Sequence, residues 1–410
     1  MKKLLLVLLI LSLFINHLNA NEKDLQIIQK DKKEYRLLDK ESIQTRQQSQ
    51  KYDWISPIDL SGNIGRNHSF SDENSRNLNN KNTKSASIGF TQSIFESGGI
   101  GFKMDYADNR FKYEMLSWEN QNSQLIYTIY NTLLDIKKLK LEINQNDYRI
   151  VNKDIELIIK KIQYEAGKTD IIELNNAIMS KNLILKEEIA LKNSLKEKEQ
   201  ELAKYTDLKY DEIEILDFQE TNKEIFLDKN YSILEADAKV EMLNSEYKIK
   251  KSQYLPKLSL SAKASYSNQD EKFNSMISDT NKDDATSSGS LILSMPLYDY
   301  TKSSKVQESK IEVLKQKALV NDLKNETAFE YEQIFTKIDT YLKQNETINK
   351  NIKLYEELIG ANKISSEAGM TSKYDLEILE NTKTINEFDI LINKINILQQ
   401  YAKLYFKIKN

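Results

Sequence analysis

Two kinds of periodicity divide this chain. Around Leu60, Gly62 and Ile64, and again around Leu258, Leu260, Ala262, Ala264 and Tyr266, apolar or small residues alternate with polar ones. A period of two predicts strands with one apolar face. Return strands are expected over 87–95 and 290–297, with Asn/Ser/Asp-rich loops at about 69–84 and 267–287, giving β-hairpins at 56–98 and 255–299. Elsewhere the period is helical. Leu125, Ile126, Ile129, Leu133, Ile136, Ile150, Ile155, Ile158 and Ile162 fall on one stripe, and from about 103 to 164 and 302 to 366 only Gly360 interrupts a run free of Gly and Pro. Some 60 helical residues would reach ~90 Å, taller than any single globular core. Shorter helices are expected at about 22–52, 170–206, 221–253 and 372–408. An entering helix plus a returning one roughly equals one long helix, so the short pair is predicted to stack end to end beside the long one.

The same order of elements occurs twice. Glu165-Ala166-Gly167-Lys168-Thr169 recurs as Glu367-Ala368-Gly369-Met370-Thr371, Ser56-Pro57 as Leu255-Pro256, and Ile88–Glu96 as Leu291–Asp299, at shifts of about 200 residues. A repeat of this size is read before anything else. The expected organisation is a first repeat at 21–206, a link at 207–220 and a second repeat at 221–410, with helical tips at 165–169 and 366–371. Gly167 and Gly369 are predicted to end the long helices in a left-handed conformation. Thr169 with Asp170, and Thr371 with Ser372, are predicted to cap the helices that follow.

Composition narrows the chemistry. The chain has ten Gly and three Pro, against roughly 29 and 20 for average usage at this length. It has no Cys, and its two His are His17 and His68. That inventory argues against zinc sites and against Ser-His or Cys-His catalysis. A formal charge of −3 gives no basic footprint for nucleic acid. The Gly167-Lys168-Thr169 triplet is the one hint of a nucleotide site. A phosphate-binding loop needs a second Gly five residues upstream and a preceding strand, but Ile162 occupies that place and the context is helical. No enzyme activity and no cofactor are expected.

The first twenty residues read as a secretory signal peptide: Lys2 and Lys3, an apolar core from Leu4 to Ile15, and Asn19-Ala20 before a polar stretch. An exported chain with two hairpins and tall helices raises a physical problem. An open hairpin in lipid leaves edge groups unsatisfied, so a membrane sheet must close. Four strands are too few, and closure then requires other copies.

Together, Pro57 and Pro256 at the strand starts, Ser-Ile-Phe-Glu-Ser-Gly-Gly at 93–99, Met-Pro-Leu-Tyr-Asp at 295–299 and the doubled Glu-Ala-Gly tips resemble the TolC-like family of outer-membrane efflux proteins, over essentially all of 21–408. The resemblance implies a mainly α fold with a small transmembrane β part: long antiparallel helices forming an α-helical barrel, and four strands per chain contributing to an oligomeric β-barrel. It implies a homotrimer in outer-membrane lipid, reaching into the periplasm, docked by a periplasmic adaptor protein and an inner-membrane transporter, as the exit duct of a tripartite efflux or type I secretion system. It places a candidate acidic gate at Asp375, with Glu377 or Glu380 as a stand-in because the family's second Asp falls on Ile378, and at Glu173 in the first copy. Candidate adaptor contacts are Glu165, Gly167, Thr169, Glu367, Gly369 and Thr371. Two alternatives stay open on residues alone: a periplasmic adaptor, or a structural coiled-coil protein of the envelope.

Overall fold

A computed structural model describes residues 25–69, 79–214, 216, 218, 220–270, 282–367 and 372–409. The expected signal peptide, Gly369 and Thr371 lie outside them. A 3₁₀ turn, Leu25–Ile27, precedes α1 (Lys30–Tyr52), β1 (Asp59–Ser69), β2 (Asn79–Phe95), α2 (Gly99–Glu165) and α3 (Ile171–Ala203). After the link come α4 (Lys223–Asp228), α5 (Tyr231–Ser252), β3 (Lys257–Asp270), β4 (Lys282–Ser294), α6 (Lys302–Glu367) and α7 (Lys373–Phe406).

Three expectations need correction. The return strands begin at Asn79 and Lys282 rather than at 87 and 290, and the second ends at Ser294 rather than at 297. Backbone pairing continues through the polar residues, where no apolar alternation marks it. The first entering helix starts at Lys30, not at about 22. The second is broken: α4 ends at Asp228 and α5 begins at Tyr231.

The chain forms two compact units. The first holds the described residues up to Lys40, Leu116–Leu234, and Asn321 onward. Its core gathers Phe226, Ile334, Ile338, Leu404 and Ile408, flanked by Tyr331, Phe335, Ile397 and Tyr401. Each fully buried side chain of this kind contributes roughly 1.5–3 kcal/mol. A second cluster packs Phe218 of the link edge-on against Tyr130 and Phe406 and tilted against Tyr405. The link is also held by Tyr210, whose ring lies 3.3 Å below the Lys140 ammonium. Glu330 accepts from Lys403 and Lys407 at 2.8 and 2.6 Å. Burial opposes its ionisation, but those two ammonium groups outweigh the burial and hold its carboxyl below the usual range.

Polar side chains set the order of the helices in this unit. Asn146 of α2 donates to the Ile184 carbonyl of α3, and Lys181 pairs with Asp154. On the other side Gln145 donates to the Ile385 carbonyl and to Asp389 of α7, and Asn381 donates to Asn152. Asn393 of α7 donates to Asn345 of α6. The lateral order is therefore α3–α2–α7–α6. Its outer members keep large apolar side chains uncovered, Ile172 and Leu183 on α3, Phe329 and Ile364 on α6.

The short helices meet as their lengths suggest. The Gln29 N–H donates to the Tyr205 carbonyl, joining the end of α3 to the start of α1. The Tyr231 N–H donates to the Lys407 carbonyl and the Lys409 N–H to the Lys229 carbonyl, joining the end of α7 to the break between α4 and α5. An isolated Asn230–Ile408 bridge completes this second joint.

The second unit, Glu41–Met115 and Glu235–Val320, carries the sheet. The strand order is β1-β2-β3-β4, all antiparallel, so among the described residues β1 and β4 are its edges. Leu60 stands opposite Ile88, which stands opposite Ala264, which stands opposite Ser287. A register shift between Ser93 and Phe95 marks a bulge at the end of β2. The turn into α2 uses Ser97 (φ 51°) and Gly98 (φ 88°). Ser97 Oγ donates to the Pro256 carbonyl at 2.7 Å, and Glu96 pairs with Lys103 at 3.0 Å.

Candidate functional site

Register sorts the strand residues onto two faces. One carries Leu60, Gly62 and Ile64; Ala86, Ile88 and Phe90; Leu258, Leu260, Ala262, Ala264 and Tyr266; and Ala285, Gly289, Leu291 and Leu293. From Leu258 to Tyr266 this band runs about 27 Å along the strand at ~3.4 Å per residue. It is uncovered: Leu60 is 79 % exposed, Ile64 83 % and Leu293 73 %. The opposite face is lined with hydroxyls that bond across strands, Ser61 to Ser87 at 2.9 Å, Thr91 to Ser261 at 3.1 Å and Ser265 to Thr286 at 2.7 Å. A sheet with an exposed apolar band and a polar reverse is built for lipid on one side and water on the other. No described helix is long and apolar enough to cross a membrane.

The first tip forms by local chemistry. The Lys168 N–H donates to the Gln163 carbonyl at 2.8 Å and the Gly167 N–H to the Tyr164 carbonyl at 2.9 Å. These bonds satisfy the last carbonyls of α2 and require a left-handed residue, here Gly167 at φ 67°. A Cβ there would meet nothing within 4 Å, so the backbone, not packing, selects glycine. Asp170 caps α3 by accepting from the Glu173 N–H at 2.9 Å. Ser372 caps α7 by accepting from the Tyr374 N–H at 3.1 Å. The caps are thus Asp170 and Ser372. Glu165, Gly167 and Lys168 are exposed and Thr169 half-buried; Glu367 ends α6.

The three candidate gate carboxylates differ in setting. Glu173 is paired with Lys160 of α2 at 3.0 Å, a contact that sequence spacing does not suggest. Asp375 is exposed in the first turn of α7. Glu377 is exposed too, but two residues further on it lies about 200° around the helix, so the two carboxylates diverge. Among the described residues no group of three His, Cys, Asp or Glu could hold a metal ion.

This is the fold of the outer-membrane channels. Campylobacter jejuni CmeC, an outer membrane channel, superposes with a TM-score of 0.69 at 13 % identity, covering 92 % of this chain and 84 % of that one. The outer membrane protein VceC of Vibrio cholerae gives 0.71 at 13 %, covering 93 % and 94 %. The Neisseria gonorrhoeae MtrE outer membrane channel, in its open state, gives 0.67 at 11 %, covering 94 % and 87 %. Residues 224–403 match the family model of the outer membrane efflux proteins. No curated protein sequence matches the chain.

Proposed function

We propose that this protein is a passive exit duct in the outer membrane, extending into the periplasm and serving a tripartite efflux or type I secretion system. The observation that carries this is the sheet: among the described residues, four strands, an apolar band on one face, hydroxyls on the other, and two unpaired edges. Unpaired edge groups cannot face lipid. Three copies would supply twelve strands, within the range of natural barrels, and the uncovered stripes on α3 and α6 would bury against neighbours in the same act. The second repeat's match to the efflux family and the shared fold support the reading.

In this duct no residue performs chemistry. The tips at Glu165–Thr169 and Glu367–Thr371 receive a periplasmic adaptor, which joins the duct to an inner-membrane pump that selects the cargo. Asp375 is the leading gate carboxylate. Repeated around a narrow opening, it would attract cations and repel anions. Glu173 is already neutralised by Lys160, and Glu377 points elsewhere.

The test is electrical. Purified protein reconstituted into planar lipid bilayers should form discrete conducting channels, and Asp375→Asn should weaken their preference for cations over anions. A soluble monomer without conductance would overturn the duct. Unchanged ion preference in the variant would remove only the gate.

A further inference from the structure

The hydroxyl face of the sheet carries one side chain unlike its neighbours. Lys263 lies midway along β3, on this face by register, and is exposed. The other charged positions of the same register set, Asp59, Lys81, Lys257, Lys282 and Asp284, all fall within the first three residues of a strand. Between the strand ends the face is mostly serine and threonine, and among the described residues Lys263 is its only charge.

Edge protection does not account for it. Lysine on an edge strand discourages pairing with other sheets, but β3 is bonded to β2 on one side and to β4 on the other. Lysine is also disfavoured in strands. The neighbouring strand nevertheless leaves room for it. Gly89 stands opposite Lys263, and a Cβ there would come within 3.3 Å of Lys263 Cβ and Cγ and 3.0 Å of the Ala262 carbonyl oxygen. A glycine inside a strand marks such a close approach. Ser261, Ser265 and Ser288 flank Lys263 along and across the strands, and its four-carbon stem carries the ammonium well past their hydroxyls. The opposite charge in its row is Asp59, facing Gly89 on β1, two strand spacings or roughly 10 Å away. No ion pair joins Lys263 to another of the described residues.

We propose that Lys263 is the ion-sorting residue of the barrel interior, favouring anions and the anionic groups of cargo as they pass the sheet. This inference rests on the duct reading, which makes the hydroxyl face the wet one, and adds a specificity element to it. Charged side chains that line a pore set its preference, lysine for anions, and substitutions in the lumen of a membrane barrel tune its selectivity. Lys263 suits that task because its ammonium has no carboxylate partner and projects from a floor of small residues. A hollow of about 430 Å³ bordered by Asp59, Gly89 and Lys263 gives a passing carboxylate or phosphate group room beside the ammonium, with Ser87 and Ser261 in the same lining. Lys263 belongs to the unit that carries the sheet and Asp375 to the other, so the two charges can be altered one at a time.

The absence of cysteine makes the test specific. Full-length Lys263→Cys protein is reconstituted in planar bilayers under a potassium chloride gradient, and the reversal potential is read before and after adding a water-soluble methanethiosulfonate. The anionic sulfonatoethyl reagent should shift it toward the potassium equilibrium potential. The cationic trimethylammonium-ethyl reagent should shift it toward the chloride value, restoring the preference of the native sequence. Each channel is its own control, so a folding defect cannot imitate the result. Ala264→Cys, on the apolar face, should give no shift with either reagent. An unchanged reversal potential for Lys263→Cys with both reagents, in channels that conduct, would overturn the role of Lys263 and leave the duct standing. A shift for Ala264→Cys with none for Lys263→Cys would overturn the assignment of faces and the proposal with it. Native protein that forms no channels would remove the duct, and Lys263's role along with it.

Discussion

Leu404 and Leu297 are the same residue with opposite fates. Leu404 is fully buried among Phe226, Ile334, Ile338 and Ile408, while Leu297 is 91 % exposed below the sheet. The first sits in a core that the chain closes by itself; the second has no cover among the described residues. Many of the exposed apolar residues are grouped: on one face of the strands, along α3 and α6, and beside the turn after β4. A contiguous uncovered apolar surface marks an interaction site.

The contrast can be broken by substitution, beginning with the core. Leu404→Ala should destabilise the folded chain by about 2–5 kcal/mol, the usual cost of emptying a packed site, measured by thermal or chaotrope unfolding in detergent. An unchanged midpoint would show that this core does not close within the chain. Leu291→Lys should leave unfolding in detergent nearly unaltered yet cost about 2–4 kcal/mol in lipid, as charges do on the outer face near a barrel's midplane. Membrane insertion assays on liposomes would read that loss, and normal insertion would mean the apolar band does not face lipid. Gly167→Ala should cost about 1–2 kcal/mol, from forcing a Cβ into the left-handed conformation, while cross-linked oligomer yield stays constant. The smallest effect is a change of slope. The Glu330 carboxyl is held below its ordinary range, so its stabilising contribution is complete above the unfolded carboxylate value near ~4.3 and is lost as pH falls through that value toward the lower folded one. Glu330→Gln should flatten unfolding temperature against pH in that acid window, and an identical profile would show that Lys403 and Lys407 do not act through it.

Much of the fold is legible in the order of residues. Alternation at Leu60–Ile64 and Leu258–Tyr266 marks strands because an apolar face leaves a period-two trace. The polar continuations at Asn79–Ser85 and Lys282–Thr286 leave no such trace, since backbone bonds carry them whatever the side chains are. The break at Lys229–Asn230 contains no Gly or Pro; its one local mark is Asn230, which caps α5 by accepting from the Ser232 N–H, while its pairing with Lys407–Lys409 is a contact remote in sequence. At the tips, Gly167 is readable because only backbone geometry selects it. The pairing of Glu173 with Lys160 is not, because it depends on how two antiparallel helices align across the turn.

The joint between Asn230 and Ile408 also constrains the order of events in the cell. Asn230 reaches the folding compartment well before its partner: its side chain can cap α5 through the Ser232 N–H at once, but the Tyr231–Lys407 and Lys409–Lys229 bonds of the joint cannot yet form. The break between α4 and α5 must therefore wait, unsealed, until the Lys407–Lys409 segment has been delivered. A chain stalled in export just short of that point would hold most of its helices yet lack the clasp that locks them, leaving it open to proteases and holding chaperones.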